Sequence, residues 1–256
     1  MLDIVVPVYN EKDNIEKLLN EIDVKIHVIK KLLIIYDQLG DNTLPVLETI
    51  CKKYSFPIII EQNIFGNGAL NAIRTGFIKS DGEAVLVTMA DLSDDLSVVD
   101  DMYSKILLGN KVVCGSRYMK GGKQVGGPVL KKIFSRLAGL SLHWLIHIPT
   151  HDVTNSFKMY SKTLLNTFLI ESKGGFELGL EITVKAFING FQIIEIPATW
   201  YDRTKGKSHF KMWTWLPCYL HWYFYGIINF YLKKKRLTHD VEKGDVVSEK
   251  CHTSIM

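Results

Sequence analysis

The sequence is short of several things that would place a protein quickly. Its 256 residues hold only four cysteines, Cys51, Cys114, Cys218 and Cys251. None forms a CxxC pair and their spacing fits no zinc site, which speaks against a disulfide framework or structural zinc and for idle thiols in a reducing compartment. Net charge is also scarce, at +4. No basic tract is interleaved with aromatics able to stack on bases, so no nucleic-acid partner is expected. The N-terminus has no basic region followed by an apolar stretch and a cleavage site. It opens on LDIVVPVY, which reads as a core strand. No signal peptide is expected, and the cytoplasm is the default compartment. There is no internal repeat.

What the chain does have is apolar residues, 47% of the total, enough for a full core. In the first half they alternate between two periods. LDIVVPV, KLLIIY, FPIIIEQ, EAVLVTMA and KVVCGSR are continuous apolar runs of strand length. Between them lie helical patterns, such as Ile15, Leu18, Leu19 and Ile22 in the first. Strand–helix alternation with apolar strands predicts an α/β fold, a mostly parallel sheet covered by helices on both faces. In the second half, helices are expected over 128–147 and 174–190 and a strand over 191–200.

Such sheets bind ligands outside the carboxyl ends of their strands. The loops to inspect are therefore VYNEKDN, YDQLGDNT, QNIFGNG, ADLSDD and GSRYMKGG. Asp91 follows the fourth strand, where a carboxylate can hold Mg²⁺ or Mn²⁺ against a substrate phosphate. Read alone, Asp91 or Asp94 would do no more than cap the next helix. In PVYNE, Tyr9 offers a flat face for a base, and Glu11 can accept from a base or ribose. Asp37 could accept a base N–H, while Asp41 or Thr43 would cap the following helix. Arg117 ends the fifth strand, where its guanidinium could pair with phosphate in two places or form a surface ion pair. Arg203 lies in a basic loop, YDRTKGKSHFK, that could fold over a diphosphate.

Taken in order, IVVPVYNE, IIYDQLGDNT, MADLSDD, GSRYMKGG, HDVTNSFKMY, GFELGLEI and EIPATWYDRTKGKSHFK resemble the family 2 glycosyltransferases. More narrowly, they resemble the dolichyl- or polyprenyl-phosphate mannosyl- and glucosyltransferases. The resemblance implies a GT-A fold, a nucleotide-diphosphate sugar donor, a divalent metal and inversion at the anomeric carbon. The acceptor would be a polyprenyl phosphate. By position, Pro7, Tyr9, Glu11, Asp37, Ala90, Asp91 and Arg203 would bind the donor, and Asp91 and Ser93 the metal. Arg117, Lys131 and Ser135 would face the acceptor phosphate, with Asp91, Arg117 and Arg203 carrying catalysis. The chain also departs from the family. Met89 stands where the first Asp of DAD is usual, Ser93 where Gln is frequent, and Tyr36 for the first Asp after the second strand. Lys131 replaces an Arg, and His209 replaces the flexible loop's lysine.

Residues 212–232 carry no formal charge, are rich in Trp, Tyr and Phe, and precede KKKR at 233–236. Aromatics spread through the segment, together with Pro217, His221 and Asn229, suit interfacial helices on a bilayer better than a spanning one. The expected organisation is a glycosyltransferase domain over 1–210, a membrane-interface segment over 211–236 and a loose tail over 237–256. The protein would sit peripherally on the cytoplasmic membrane face, any firmer anchor coming from a partner or a homo-oligomer. Two rival readings stay open: a degenerate nucleotide-sugar-binding subunit, prompted by Met89, Tyr36 and His209, and a transferase with a saccharide acceptor. The latter requires a positioned base that no residue here supplies.

Overall fold

The computed structural model describes residues 1–202 and 212–252. Seven strands form the main sheet: β1 (Leu2–Val8), β2 (Lys30–Tyr36), β3 (Ile58–Gln62), β4 (Ala84–Val87), β5 (Val112–Ser116), β7 (Lys158–Ser161) and β8 (Ile193–Pro197). A separate two-stranded sheet joins β6 (Lys123–Val125) to β9 (Thr199–Tyr201). The helices are α1 (Ile15–Lys25), α2 (Thr43–Ile50), α3 (Ala69–Lys79), α4 (Val99–Leu107), α5 (Val129–Ile146), α6 (Lys162–Leu165), α7 (Leu178–Ile188) and α8 (Met212–His252).

The order of the main sheet is β3-β2-β1-β4-β7-β5-β8. All its pairings are parallel except those of β7, which runs against both β4 and β5. Helices cover both faces, as the apolar runs predict. Period two divides β1 between the two cores. Ile4 and Val6 join the core packed by α1, and Val5 joins the core packed by α3. On α3, Gly76 allows the closest approach, since a Cβ there would lie 2.3 Å from a methyl of Val5. A third core, with Leu142, Ile146, Leu180, Val184 and Trp222, binds α5, α7 and α8 together.

Several elements differ from the sequence expectation. β7 was not anticipated, because it is four residues long and opens on the buried Lys158. The single strand expected over 191–200 is two, broken after Pro197; the second part leaves the sheet to pair with β6. α7 starts later than Gly174 because the buried Glu177 carboxylate accepts the backbone N–H groups of Lys173, Gly174 and Gly175 and folds them into a loop. α8 is one helix that takes in both the expected interface segment and most of the expected tail.

Candidate active site

The carboxyl ends of β1, β2, β4 and β5 all open toward one cavity of about 840 Å³. This size is ordinary for a small-molecule site. Behind β1, Asp41 accepts the Asn10 N–H and Thr43 accepts the Glu11 N–H, so the loop after β2 fixes the loop after β1. Pro7, Tyr9 and Glu11 line the cavity, and Tyr9 is exposed. Glu11 is steadied by Asn14, whose amide donates to it at 2.7 Å. Asp37 also lines the cavity, with both oxygens engaged: Asn63 Nδ2 donates to one and the Gly68 N–H to the other, each at 2.9 Å. Gly68 takes φ +112°, open to glycine and hostile to other side chains. Asp37 thereby brings Asn67, Gly68 and Ala69 to the cavity wall. The sequence marks the QNIFGNG loop for inspection but singles out none of these residues within it.

The loop after β4 separates its carboxylates. Asp91, Ala90 and Ser93 line the main cavity, and the Ser93 N–H donates to Asp91 Oδ1 at 3.1 Å. Asp94 turns the other way. It accepts from Thr88 Oγ1 at 2.9 Å and the Met89 N–H at 3.3 Å, and it faces a second cavity of about 470 Å³ beside α1. Burial, and after it the nearby Asp91, push its carboxyl up to about 7 against those hydrogen bonds. Helix capping falls to Asp95, whose carboxylate accepts from Ser97. Asp91 lines the main cavity instead. Among the described residues, no group of three or more His, Cys, Asp and Glu side chains is arranged for a metal. The residues with hard oxygen donors that line the cavity here are Asp91 and Ser93, with Met89 two positions before Asp91. That set fits Mg²⁺ or Mn²⁺ as a partial shell, to be completed by substrate phosphate oxygens.

The loop after β5 makes a denser corner. Arg117 is buried and held by the fully buried Asp152: Nε donates to Oδ2 at 2.7 Å, Nη2 to Oδ1 at 2.8 Å, and the backbone N–H to Oδ2 at 3.0 Å. Nη2 also donates to Ser135 at 2.9 Å. Burial alone would raise the Asp152 carboxyl, but the Arg117 charge and hydrogen bonds outweigh it and hold it below the ordinary range. Nη1 donates to nothing among the described residues, and Arg117, Lys131 and Ser135 all line the cavity. Lys158 braces the segment beyond Asp152 through the backbone carbonyls of Val153 and Asn155. Neither Asp152 nor Lys158 was singled out from the sequence. Arg203 and His209 lie outside the described residues.

Beyond Arg117 the cavity becomes apolar. Phe134 and Leu137 of α5 and Leu216, Leu220 and Tyr223 of α8 form its walls. Phe134, Leu137 and Leu220 are also exposed. Ile133 and Trp144 on α5 and Phe224 and Ile228 on α8 are exposed as well. No helix among the described residues is long and apolar enough to cross a membrane.

Many known proteins are similar to this chain in sequence or fold. A dolichol-phosphate mannosyltransferase from Pyrococcus furiosus is 26% identical over 215 residues, covering 82% of this chain and 59% of the relative. The chain thus spans well under two thirds of that protein's length. A polyprenol monophosphomannose synthase from Mycolicibacterium smegmatis is 24% identical, covering 80% of this chain and 79% of that one. Among solved structures, glucosyl-3-phosphoglycerate synthase from Mycobacterium tuberculosis, in complex with Mn²⁺, UDP and glucosyl-3-phosphoglycerate, superposes with a TM-score of 0.58. It is 15% identical, with 81% of this chain and 72% of that chain covered, a likeness of fold alone. The profile of glycosyl transferase family 2 matches residues 3–169. With more than half of its length matched, the chain belongs to glycosyl transferase family 2, and the enzyme class the sequence predicts, a glycosyltransferase, is the one this family carries.

Proposed function

We propose that the protein transfers one sugar from a nucleoside-diphosphate sugar to a polyprenyl phosphate at a membrane surface. The observation that carries this reading is the cavity's graded chemistry. It runs from polar strand ends at Pro7, Asp37 and Asp91, past Arg117 and Ser135, to the apolar walls of α5 and α8. A nucleotide suits the first end, a phosphate the middle and an isoprenoid chain the last. The two relatives named for dolichol-phosphate and polyprenol-monophosphate mannosyl transfer favour the same acceptor class.

The chemistry asks little of the side chains. A lipid phosphate is already an anionic nucleophile near neutral pH, so no general base is needed. Arg117, Lys131 and Ser135 would hold that phosphate in line with the anomeric carbon and opposite the leaving diphosphate, which inverts the configuration. Tyr9, Glu11 and Asp37 would seat the nucleoside. Asp91 and Ser93 would hold a divalent cation, which when bound neutralises charge on the diphosphate. Arg203 would add to that neutralisation. The exposed apolar residues of α5 and α8 would rest at the bilayer interface, with Lys233, Lys234 and Lys235 beside anionic head groups. The protein would then work from the cytoplasmic face as a peripheral enzyme.

One observation favours a second reading. Met89 at the first acidic position, with Asp94 turned away, leaves a thin cation site, as in a nucleotide-sugar-binding subunit without turnover. Both readings meet in one assay. The protein is incubated with labelled GDP-mannose or UDP-glucose, Mn²⁺ and a polyprenyl phosphate in detergent. Label in the lipid with release of nucleoside diphosphate is the expected result. Binding without release, across donors and lipid phosphates, would overturn transfer in favour of the subunit.

A further inference from the structure

β6 and β9 stand outside the main sheet and pair in register: Lys123 with Thr199, Gln124 with Trp200, Val125 with Tyr201. Side chains alternate along a strand. Lys123, Val125 and Tyr201 are exposed, whereas Gln124 and Trp200 are half-buried neighbours that both line the main cavity. This small sheet joins the two polar corners. On one side the Tyr201 N–H donates to the Ser93 carbonyl at 2.9 Å, and Trp200 forms an isolated bridge with Asp94. On the other side the Tyr118 hydroxyl lies 3.0 Å from both Gln124 Oε1 and Ser135 Oγ, and Ser135 accepts from Arg117. The indole passes close over Gly127. A Cβ at that residue would stand 3.0 Å from the ring, and its φ of +81° further favours glycine.

We infer that Trp200 and Gln124 form the subsite for the transferred sugar, with Trp200 as the surface on which a hexopyranose stacks. The inference rests on the proposed transfer reaction. The group lying between a diphosphate at Asp91 and a phosphate at Arg117 is the sugar, and this pair spans that interval. A pyranose presents a face of polarised C–H bonds and a rim of hydroxyls. The electron-rich face of an indole attracts the former. An amide N–H suits the latter: Gln124 Oε1 is engaged by Tyr118, while Nε2 donates to nothing among the described residues.

The test compares a sugar nucleotide with its own nucleoside diphosphate. Calorimetry with GDP-mannose against GDP, and UDP-glucose against UDP, is run on the full chain with Mn²⁺ present. Trp200→Ala should weaken the sugar nucleotide about tenfold and the bare diphosphate less than about twofold. Trp200→Phe, which keeps a ring, should recover most of the loss. Gln124→Leu should weaken only the sugar nucleotide, about threefold to tenfold, and carries the test alone if Trp200→Ala does not fold. Equal weakening of both ligands would overturn the inference by placing the ring against the nucleoside or the acidic loop. Unchanged binding of both would overturn it as well. Wild-type protein that binds none of the four ligands would overturn the transfer reading itself, and the sugar subsite with it.

Discussion

The Asp91 corner and the Arg117 corner share one cavity yet are built on opposite terms. At Arg117, three donors of one residue meet the two oxygens of Asp152, Ser135 takes a further bond, and Lys158 braces the segment behind. At Asp91, the carboxylate of Asp94 turns to another cavity and the position two residues before, Met89, offers only a thioether. The first corner is preorganised by the protein. The second is a partial shell that a diphosphate would complete. A loosely held, mobile lipid phosphate gains most from a rigid receptor, because little ordering then remains to be done on binding. A donor that brings its own phosphate oxygens can tolerate a thinner one.

The sharpest way to break this comparison is at its weak corner. Asp91→Ala removes the one carboxylate of the β4 loop that faces the main cavity, so transfer should fall by a factor on the order of 10³. The fold should hold, with the melting temperature within about 2 °C of wild type. Full activity in that variant would take Asp91 out of the site.

The strong corner should break differently, through stability. Asp152→Ala strands a buried guanidinium, and losing one partner of a buried pair costs about 3–5 kcal/mol. Urea denaturation reads it directly; a loss under about 1 kcal/mol would mean the corner relaxes or takes up water. The pair also makes the wild-type fold sensitive to acid. Because the folded Asp152 carboxyl is held below its unfolded value, its contribution is present above the ordinary carboxylate range and lost as pH falls below it.

The comparison can be narrowed by repairing the weak corner. Met89→Asp places a second carboxylate near Asp91. It should tighten Mn²⁺ binding about tenfold when nucleoside diphosphate is present, measured by calorimetry or by the loss of free-ion paramagnetic signal. No change would indicate that position 89 does not reach the cation.

The difference between the corners also governs what could be read in advance. Continuous apolar runs announce β1, β2, β4 and β5, and the strand ends then point to Pro7, Tyr9, Asp37, Asp91 and Arg117, all of which line the cavity. What escaped depends on distant partners. Nothing in the sequence couples Asp152 to Arg117, 35 residues away. β7 is a central strand, but only because β4 and β5 sandwich it; its four residues, opened by a lysine, carry no period of their own. The Gln124–Trp200 register likewise exists only once β8 has broken at Pro197 and β9 has swung across to β6. Local patterns report the scaffold; pairings across the chain report the walls of the site.

The smallest expected effect tests whether the strong corner is as complete as its hydrogen bonds suggest. Lys131 lines the cavity on the first turn of α5, one turn before Ser135. Its ammonium is a point charge on a flexible stem, whereas a guanidinium grips two phosphate oxygens in a fixed plane. If Arg117 and Ser135 already fix the phosphate, Lys131→Arg adds only a second grip. The KM for the polyprenyl phosphate should then fall about threefold with kcat unchanged, the pattern of uniform binding. A rise in kcat instead would mean that the wild-type corner leaves the phosphate misaligned, and that Lys131, not the thin cation site, holds back the reaction.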